Sequence, residues 1–256
     1  MGATNGATRI EAIDRALALL DDLSRAGTDG SSLAGICARV GMNKSTAYRA
    51  LTTMRGRGYI QQDVETGNYS LGPAALTLSS RYFEGDALVW SMHPVIVALS
   101  RETDELVHLG VMRGDKVIYL DKVEPSRIIR VRSDIGRAVP AANTALGRSI
   151  LAFTGVGRQQ LSAYAPADGP PRTEHLWEMI GFARRHGYSF EVEEYEPGIA
   201  CFGVALLRAG QPVGAMSVTT FASSFTAERR AELLEAVSSV VPPLLPSGIN
   251  LPELRR

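Results

Sequence analysis

Residues 31–72, SSLAGICARVGMNKSTAYRALTTMRGRGYIQQDVETGNYSLG, decide the fold of the N-terminal part of the chain. Two runs of apolar residues at helical spacing are separated by Gly41, which ends the first run. Asn43 is suited to begin the second helix, because its side-chain oxygen can accept a hydrogen bond from a first-turn amide. Two short helices joined by a tight, glycine-containing turn predict a helix-turn-helix. The expected inward positions are Leu33, Ile36, Cys37 and Val40 in the first helix and Ala47, Ala50, Leu51 and Met54 in the second.

The second predicted helix has a polar face opposite its apolar positions. Residues 30–62 contain no Asp or Glu, whereas the whole chain balances 27 basic against 27 acidic residues. Positive charge concentrated in this way suits a partner that carries phosphates. A basic run on its own is more often the solvated face of an ordinary helical hairpin, so further support is needed. The polar face presents Lys44, Ser45, Tyr48, Arg49 and Thr52.

A β-hairpin is predicted directly after the helix pair and supplies that support. Residues 59–63 and 68–71 can pair across a tight turn at 65–67, which is the wing of a winged helix. The wing carries the acidic residues Asp63 and Glu65 and no basic residue. Wing contacts to phosphate would therefore use backbone amides, Thr66 or Asn68. The combination of helix pair, hairpin and basic charge favours DNA binding over a solvated hairpin.

Double-stranded DNA is therefore an expected partner. The second helix would enter the major groove, and arginines flanking its polar face would lie nearer to phosphate. The expected DNA-contacting residues are Asn43, Lys44, Ser45, Thr46, Tyr48 and Arg49, with Arg39, Arg55 and Arg57 as phosphate contacts.

The composition fits one large or two ordinary domains. The chain has 256 residues, of which 45% are hydrophobic. No apolar run reaches membrane-spanning length and the N-terminus does not resemble a signal peptide, so we expect a soluble, cytoplasmic protein with no membrane partner. Cys37 and Cys201 form no CxxC pair, and the histidines lack metal-ligand spacing. No phosphate-binding glycine loop occurs, so neither a metal nor a nucleotide cofactor is expected.

Three segments are expected along the chain: a winged helix-turn-helix domain over residues 1–72, a helical linker over 73–85, and a second domain over 86–256. A helical linker fixes the spacing between domains and can transmit rotation, which a flexible linker cannot. A first helix over residues 10–25 would brace the helix pair, with Ile13, Leu17, Leu20 and Leu23 on its inward face.

The second domain is predicted to contain an antiparallel sheet with inserted helices. It begins with a helix from Asp86 to about Thr103, in which Trp90, Pro94 and Leu99 indicate firm packing on the domain or on a partner subunit. Hairpin-forming strands with helices between them indicate an α+β sensor-type fold. We expect strands over 106–112, 116–123, 127–132, 200–208 and 213–221, and helices over 145–153, over 174–186 and from the N-cap residue Thr226 onwards.

Several segments resemble the isocitrate-lyase-regulator (IclR) family of bacterial transcription factors. GMNKSTAYRAL, GYI and YSLG, between residues 41 and 72, look like the family's N-terminal domain. IGRAVPAANTALGRSILA, YSFEVEEYEPGIACFGVAL and PVGAMSV, between residues 135 and 218, are similar to its effector-domain signatures. The resemblance covers nearly the whole chain. It implies a winged helix, a helical linker and a GAF-like effector domain, and DNA binding as a homodimer or dimer of dimers.

The resemblance also implies an effector pocket between the sheet and the loop that follows the GRAVP segment. Asn143 and Thr144 precede a predicted helix, whose first amides can hold a carboxylate, so a small organic acid is the expected effector. Ser217 and Thr219 lie two apart on one strand and should face the same way. Matching the family's signatures residue by residue gives an effector-binding set of Val131, Val139, Thr144, Ala145, Leu146, Glu191, Ile199, Cys201, Ser217 and Thr219.

Each of these residues also has a purely structural interpretation. Thr144 can serve only as a helix cap, Cys201 can be a small apolar filler, and the two hydroxyls can face solvent. The chain also departs from the family: it has Tyr48 where His is often found, Arg148 where Lys is frequent, and Phe202-Gly203 where small apolar residues are common. Tyr48 could change base preference, and Phe202 could reshape or partly fill the pocket.

Two other functions remain open. The chain could be an enzyme that uses Cys201 as nucleophile with a histidine such as His108, although a thiolate needs a nearby base or positive potential and a close Glu191 would raise its pKa. It could also be a sensor that acts only through protein partners, which the basic helix face argues against. The leading hypothesis is a repressor or activator whose operator affinity depends on a bound small molecule.

Overall fold

The computed structural model describes residues 10–84, 87–126, 131, 133–165 and 172–255. The internal contacts divide the chain into two units, Met1–Asp86 and Ala87–Arg256. The strand predicted over 127–132 lies outside the described residues except for Val131. None of the described helices is long and apolar enough to cross a membrane.

The first unit contains four helices and a two-stranded hairpin in its described part. Its core consists of residues from the first three helices and both strands, among them Leu19, Ile36, Leu51 and Tyr69. The elements are α1 (Glu11–Ala26), α2 (Leu33–Val40), α3 (Lys44–Gly56), β1 (Ile60–Gln62), β2 (Tyr69–Leu71) and α4 (Pro73–Glu84).

The predicted helix pair is confirmed. Gly41 ends α2 in the left-handed conformation, at φ 70° and ψ 33°, and its amide donates to the carbonyl of Cys37. A residue with a side chain is strained in that conformation, which explains the glycine. Asn43 begins α3 as expected, because its Oδ1 accepts a hydrogen bond of 2.9 Å from the amide of Thr46. Ala47 and Leu51 are fully buried beneath α3.

The predicted inward face of α1 is wrong in part. Ile13 and Leu17 are each 55% exposed, whereas Leu19, Asp22 and Leu23 are buried. Apolar residues cover a broad arc of this helix, so their periodicity does not reveal which edge of the arc faces the core. The buried edge includes an aspartate, because Asp22 pairs with an arginine of α2.

The hairpin has the expected register. Ile60 pairs with Leu71 and Gln62 with Tyr69. Ser31, just before α2, adds a third short pairing to the hairpin, because its amide and carbonyl exchange hydrogen bonds of 2.8 Å with Tyr69.

A six-stranded antiparallel sheet forms the centre of the second unit, in the order β5-β4-β3-β8-β7-β6. Most residues of the central strands β3 and β8 are buried, so both faces of the sheet are covered there. α5 contacts α8, β3 and β4, whereas α6 contacts α7, β7 and β8. The elements are α5 (Ala87–Thr103), β3 (Leu106–Arg113), β4 (Lys116–Val123), β5 (Ala138–Pro140), α6 (Ala145–Phe153), α7 (Thr173–His186), β6 (Ser189–Val192), β7 (Ile199–Arg208), β8 (Gln211–Phe221) and α8 (Ala227–Val240).

Local signals place most of these elements correctly. Ala209 and Gly210 both have positive φ and join β7 to β8 in a tight turn, as expected of a two-residue hairpin. Thr226 caps α8 through a 3.1 Å hydrogen bond from the amide of Arg229. Strand β6 was not predicted. Leu99 is fully buried, whereas Trp90 is 76% exposed, so of the two partners expected for Trp90, its own domain or a partner subunit, its own domain is excluded.

Phe202 and Gly203 have different roles from those expected. Phe202 is buried and stacks on Tyr188 with ring centroids 4.8 Å apart. It alternates with Cys201, so it faces away from the surface on which Cys201 lies. The expectation that Phe202 fills the pocket is therefore wrong. The start of α6 packs closely on the sheet at Gly203. A Cβ atom there would lie only 2.6 Å from the carbonyl oxygen of Ala145.

We therefore predict that Gly203→Ala destabilises the second unit by roughly 2 kcal/mol or more, because a rigid helix backbone cannot yield to the new methyl group. Urea unfolding followed by tryptophan fluorescence reports on this unit alone, since Trp90 and Trp177 are the chain's two tryptophans and both lie in it. Gly181→Ala in α7 is the matched control, because the nearest atom to its Cβ is the end of the Arg185 side chain, at 3.4 Å. Equal midpoints for the two variants would contradict the close-packing argument.

Candidate functional site

Helix α3 presents its polar face to solvent in the first unit. Lys44, Ser45, Tyr48 and Arg49 are exposed, while Thr46 is half-buried. The Tyr48 ring is 51% exposed, which leaves its phenol free to meet a groove. Side chains on an exposed helix face of a helix-turn-helix are in the position from which base edges are contacted.

Asn43 and Ser45, two of the expected DNA contacts, are hydrogen-bonded to each other at the start of α3. Asn43 Oδ1 accepts from the Thr46 amide at 2.9 Å and from the Ser45 hydroxyl, also at 2.9 Å. Asn43 therefore orients Ser45 at the start of the helix. This cap fixes the angle at which the first turn of α3 is presented.

The proposed phosphate contact by Arg39 is not supported by the structure. Its Nε and Nη2 donate to the two carboxylate oxygens of Asp22 at 2.7 and 2.9 Å, and Nη2 also donates to Ser31 Oγ at 2.8 Å. The hydrogen bonds that Arg39 donates to Asp22 raise the pKa of Arg39. The bidentate pair and the bond to Ser31 use three of the five N–H donors of the guanidinium, so Arg39 ties α2 to α1. The sequence did not predict this ion pair, because Asp22 lies outside residues 30–62, the stretch that contains no Asp or Glu.

The acidic residue in the wing has a structural role. Asp63 Oδ1 accepts from the amide and hydroxyl of Thr66 at 2.7 and 2.8 Å, and these hydrogen bonds lower the pKa of Asp63. Asn68 Nδ2 donates to the carbonyl of Asp29 at 3.2 Å. The side chains of Thr66 and Asn68 are therefore engaged within the protein, which weakens their candidacy as phosphate contacts.

Arg55 and Arg57 lie exposed at the C-terminal end of α3. Arg55 Nη1 donates to Gln62 Oε1 at 2.6 Å, and Gln62 Nε2 donates to the carbonyl of Gly67 at 3.0 Å. This chain of hydrogen bonds connects the end of α3 to the tip of the wing. Arg55 can therefore set the position of the wing as well as contribute positive charge.

A small cavity lies in the second unit between the sheet and the start of α6. Its volume is about 30 Å³, which is room for roughly one or two water molecules. Nine of the ten residues expected to bind an effector line it: Val131, Thr144, Ala145, Leu146, Glu191, Ile199, Cys201, Ser217 and Thr219. Val139 does not, because it is buried in the core beside Ala141 and Leu146.

The sheet register explains why these residues meet. Cys201 pairs with Thr219 across β7 and β8, and with Glu191 across β6 and β7. His108 on β3 pairs with Ser217 on β8. Directly paired residues point to the same face of a sheet, so four strands contribute one polar surface to the cavity.

Hydrogen bonds connect this polar surface. His108 Nε2 lies 2.7 Å from Ser133 Oγ, and its Nδ1 lies 3.3 Å from Thr219 Oγ1. Thr219 Oγ1 is in turn 3.4 Å from Cys201 Sγ. The His108 ring also stacks on Tyr119 at a centroid distance of 4.4 Å.

Burial shifts the pKa values of three ionisable groups in the cavity towards their uncharged forms. Burial, together with the charge of Lys122, lowers the pKa of His108 to about 3. Burial raises the pKa of Glu191, and burial with the nearby Glu191 raises that of the Cys201 thiol. Removal from water disfavours charge in each case. Near neutral pH the floor of the cavity therefore offers hydroxyl, thiol and neutral imidazole groups.

Thr144 combines two roles. Its Oγ1 accepts from the amide of Gly147 at 3.2 Å and so caps α6, and it also donates to the carbonyl of Pro140 at 3.2 Å. The capping interpretation is therefore correct, and the same residue lines the cavity.

Comparison with known proteins identifies the chain. Residues 12–64 match the model of the IclR helix-turn-helix domain, and residues 81–242 match that of the bacterial transcriptional regulator IclR C-terminal domain. The chain belongs to the IclR family. It is accordingly a transcriptional regulator with a helix-turn-helix DNA-binding domain and a C-terminal ligand-binding domain.

Curated relatives within the family support this assignment. The chain is 33% identical to the HTH-type transcriptional regulator KdgR of Escherichia coli K12 over 201 residues, which are 76% of each protein. It is 31% identical to the glycerol operon regulatory protein of Streptomyces coelicolor over 243 residues, covering 90% of this chain and 93% of that protein.

Solved IclR structures share the fold. The Thermotoga maritima IclR matches with a TM-score of 0.74 at 26% identity, covering 92% of this chain and 98% of that one. An IclR homologue from Microbacterium hydrocarbonoxydans, solved with 4-hydroxybenzoate, matches with a TM-score of 0.68 at 20% identity, covering 91% and 98%.

The geometry does not favour the alternative of a cysteine enzyme in this IclR-family chain. Thr219 lies between His108 and Cys201, so the imidazole makes no direct hydrogen bond to the thiol. The carboxyl of Glu191 disfavours a thiolate. The described residues also contain no group of three or more His, Cys, Asp or Glu side chains that could hold a metal ion.

Six further cavity residues were not among the expected effector contacts. His108 was considered only as a possible base for Cys201, and its place opposite Ser217 depends on a pairing between distant strands. The alternation of side chains along β3 predicts which residues share a face of the sheet with His108, but not which residues of other strands lie beside it. The additional residues are His108, Tyr119, Ser133, Arg137, Tyr195 and Glu196.

The low pKa of His108 predicts a pH-dependent stability of the second unit. The unfolded chain binds this proton below pH about 6.5, whereas the folded chain does so only near pH 3, so stability falls as the pH decreases between these values. From pH 7 to pH 5 the wild type should lose about 2 kcal/mol more than His108→Gln.

Urea unfolding followed by tryptophan fluorescence at both pH values measures this difference. The comparison with the variant cancels contributions from other groups, including the opposing one from Glu191. His93→Gln is the control for a histidine outside the cavity, since its imidazole is 54% exposed and lies 2.7 Å from Asp121 Oδ2. The same pH dependence in wild type and His108→Gln would show that His108 is not held neutral.

Proposed function

We propose that this chain is a repressor or activator whose operator affinity is controlled by a small organic acid bound in the second unit. The main support is that nine residues expected from the family's signatures surround one cavity in that unit. In this proposal residues 1–72 bind DNA, 73–85 are the helical linker, and 86–256 bind the effector. DNA is bound by a homodimer or a dimer of dimers.

DNA recognition is assigned to the exposed face of α3. Lys44, Ser45, Tyr48 and Arg49 contact base edges, while Arg55 and Arg57 lie nearer to phosphate. Arg39 is left out of this set because Asp22 and Ser31 bind its guanidinium. Thr46 stays in the proposed DNA-contacting set because it lies in the first turn of α3.

The polarity of the cavity indicates how an acid would be oriented. The first-turn amides of α6, near Ala145 and Leu146, suit a carboxylate, and Arg137 adds a cation to the lining. A second carboxylate against the buried Glu191 would lose its hydration beside an acidic side chain and not beside a cation. The proposed effector is therefore a monocarboxylate whose other end carries an uncharged polar group such as a hydroxyl.

Effector control requires a difference in affinity between two arrangements of the DNA-binding domains. A ligand that binds both arrangements equally shifts nothing, however tightly it binds. The proposed effector must therefore bind one spacing of the paired α3 helices better than another. Half-sites about 34–36 Å apart, or multiples of this, suit a symmetric pair of such helices.

We predict that Arg49→Ala weakens binding to a duplex selected from a random library by the wild-type chain. The loss of a base-edge contact is worth roughly 1–3 kcal/mol, or about fivefold to 150-fold in Kd. Fluorescence anisotropy at moderate salt measures it, and Lys116→Ala in the second unit is the control. Arg39→Ala should instead lower the thermal stability of the first unit. An unchanged Kd for Arg49→Ala would remove its assigned role.

We also predict that a hydroxy-monocarboxylate raises the thermal transition of the second unit, because a ligand that binds only the folded state stabilises it. 4-Hydroxybenzoate, the ligand of the Microbacterium homologue, is the first probe. 4-Hydroxybenzamide lacks the carboxylate and benzoate lacks the hydroxyl, so they are matched controls. A wider panel of aliphatic hydroxy acids, each with its amide, completes the test. If no carboxylate shifts the transition, the proposed effector class is wrong.

A further inference from the structure

Arg148 is a fully buried arginine at the back of the cavity wall. It has no exposed surface, and its guanidinium is satisfied by the protein in several directions. Nε donates to the carbonyl of Ala142 at 2.8 Å, and Nη1 donates to the carbonyl of Phe190 at 3.2 Å. Nη1 also donates to Glu194 Oε1 at 2.8 Å, and Nη2 bonds to Glu194 Oε2.

Each partner of Arg148 is close in sequence to residues that line the cavity. Ala142 lies just before Thr144, Phe190 directly before Glu191, and Glu194 directly before Tyr195. One side chain therefore ties together the start of α6, strand β6 and the loop between β6 and β7. These are three of the walls around the cavity.

The loop of residues 193–198 depends on Glu194 for its position. The Glu194 carbonyl accepts from Asn143 Nδ2 at 3.2 Å, and its amide donates to Glu191 Oε2 at 3.0 Å. Other hydrogen bonds join the ends of the loop, such as Glu193 to Ile199 at 2.7 Å, and the Gly198 carbonyl accepts from the Ala222 amide at 2.8 Å. His175 Nε2 also lies 3.4 Å from Glu194 Oε1. Burial opposes ionisation of Glu194, but hydrogen bonding by Arg148 holds its pKa below the usual value.

The small volume of the cavity limits which molecules can enter it. About 30 Å³ is enough for roughly one or two waters, so an organic acid of ordinary size cannot enter unless a wall moves. Most residues of the 193–198 loop are exposed, whereas the sheet floor and α6 are buried. The loop can therefore move at lower cost than the floor or α6, and the ion pair holds it in place.

We propose that Arg148, acting through Glu194, is a positioning residue that holds the 193–198 loop against the cavity and sets how readily an effector enters and leaves. This role toward an effector rests on the proposed function. A lysine, frequent here in the resemblance described above, cannot reproduce it, because an ammonium lacks the planar fork that binds a carboxylate and two carbonyls together.

Cys201 provides a test that needs neither effector nor DNA. In the full-length chain with Cys37→Ser, Cys201 is the single thiol, and it lies on the cavity floor. Because Cys201 is only partly exposed, opening of the cavity should accelerate its reaction with N-ethylmaleimide, so the labelling rate, followed by mass spectrometry, reports on opening. The variant Arg148→Met with Glu194→Gln removes the pair without leaving a buried unpaired charge.

The matched control is Arg229→Met with Glu105→Gln. This pair lies in the same unit with a 3.3 Å separation and a Glu105 side chain that is 6% exposed, but neither residue lines the cavity. All rates are measured well below each variant's thermal transition. Removing the Arg148–Glu194 pair should accelerate labelling roughly tenfold or more, while the control changes it by less than about twofold.

Unchanged labelling in the folded double variant would overturn the proposal, and so would equal acceleration in the control, since that reports only general loosening. If the double variant does not fold, Arg148→Lys is compared with Arg229→Lys, and acceleration is again expected only for the former. Because the assay contains no effector, its failure leaves the carboxylate screen untouched. Failure of that screen likewise leaves the labelling result valid.

Discussion

Antiparallel pairing of β3 with β8 is the interaction on which the cavity of the second unit depends. It places His108 beside residues of β8, although His108 and Thr219 are 111 positions apart in the chain. β7 then adds Cys201 opposite Thr219, and β6 adds Glu191 opposite Cys201. Because side chains alternate along a strand, a shift of one residue in any of these pairings would turn a polar group away from the cavity.

Arginines with similar sequence surroundings have different roles in this chain. Arg39 and Arg49 both lie in the acid-free stretch, yet Arg39 is bound by Asp22, whereas Arg49 extends from the exposed face of α3. Arg148, which stands where lysine is frequent in the family, is fully buried and bound to Glu194. A guanidinium keeps its charge when buried, so its role is decided by the acceptors that the fold places around it.

The elements that sequence placed correctly carry local signals. Gly41 and Asn43 end and begin helices through contacts within a few residues, and Ala209-Gly210 defines a turn by backbone conformation alone. The wrong or missing predictions concern which face of an element is buried and which segments pair with each other. The apolar arc of α1 did not reveal its buried edge, and the short strand β6 has no periodicity long enough to identify it.

The sequence by itself determined most of the helices and strands, the helix pair with its wing, and the family, because these depend on local capping, turn chemistry and matched motifs. It also placed most of the cavity residues, through the likeness of their signatures. Only the tertiary structure decided that Val139 belongs to the core, that Arg39 is a brace, and that His108 joins the cavity. Those outcomes depend on pairings between distant segments, and no local pattern in a single chain records which strand becomes the neighbour of another.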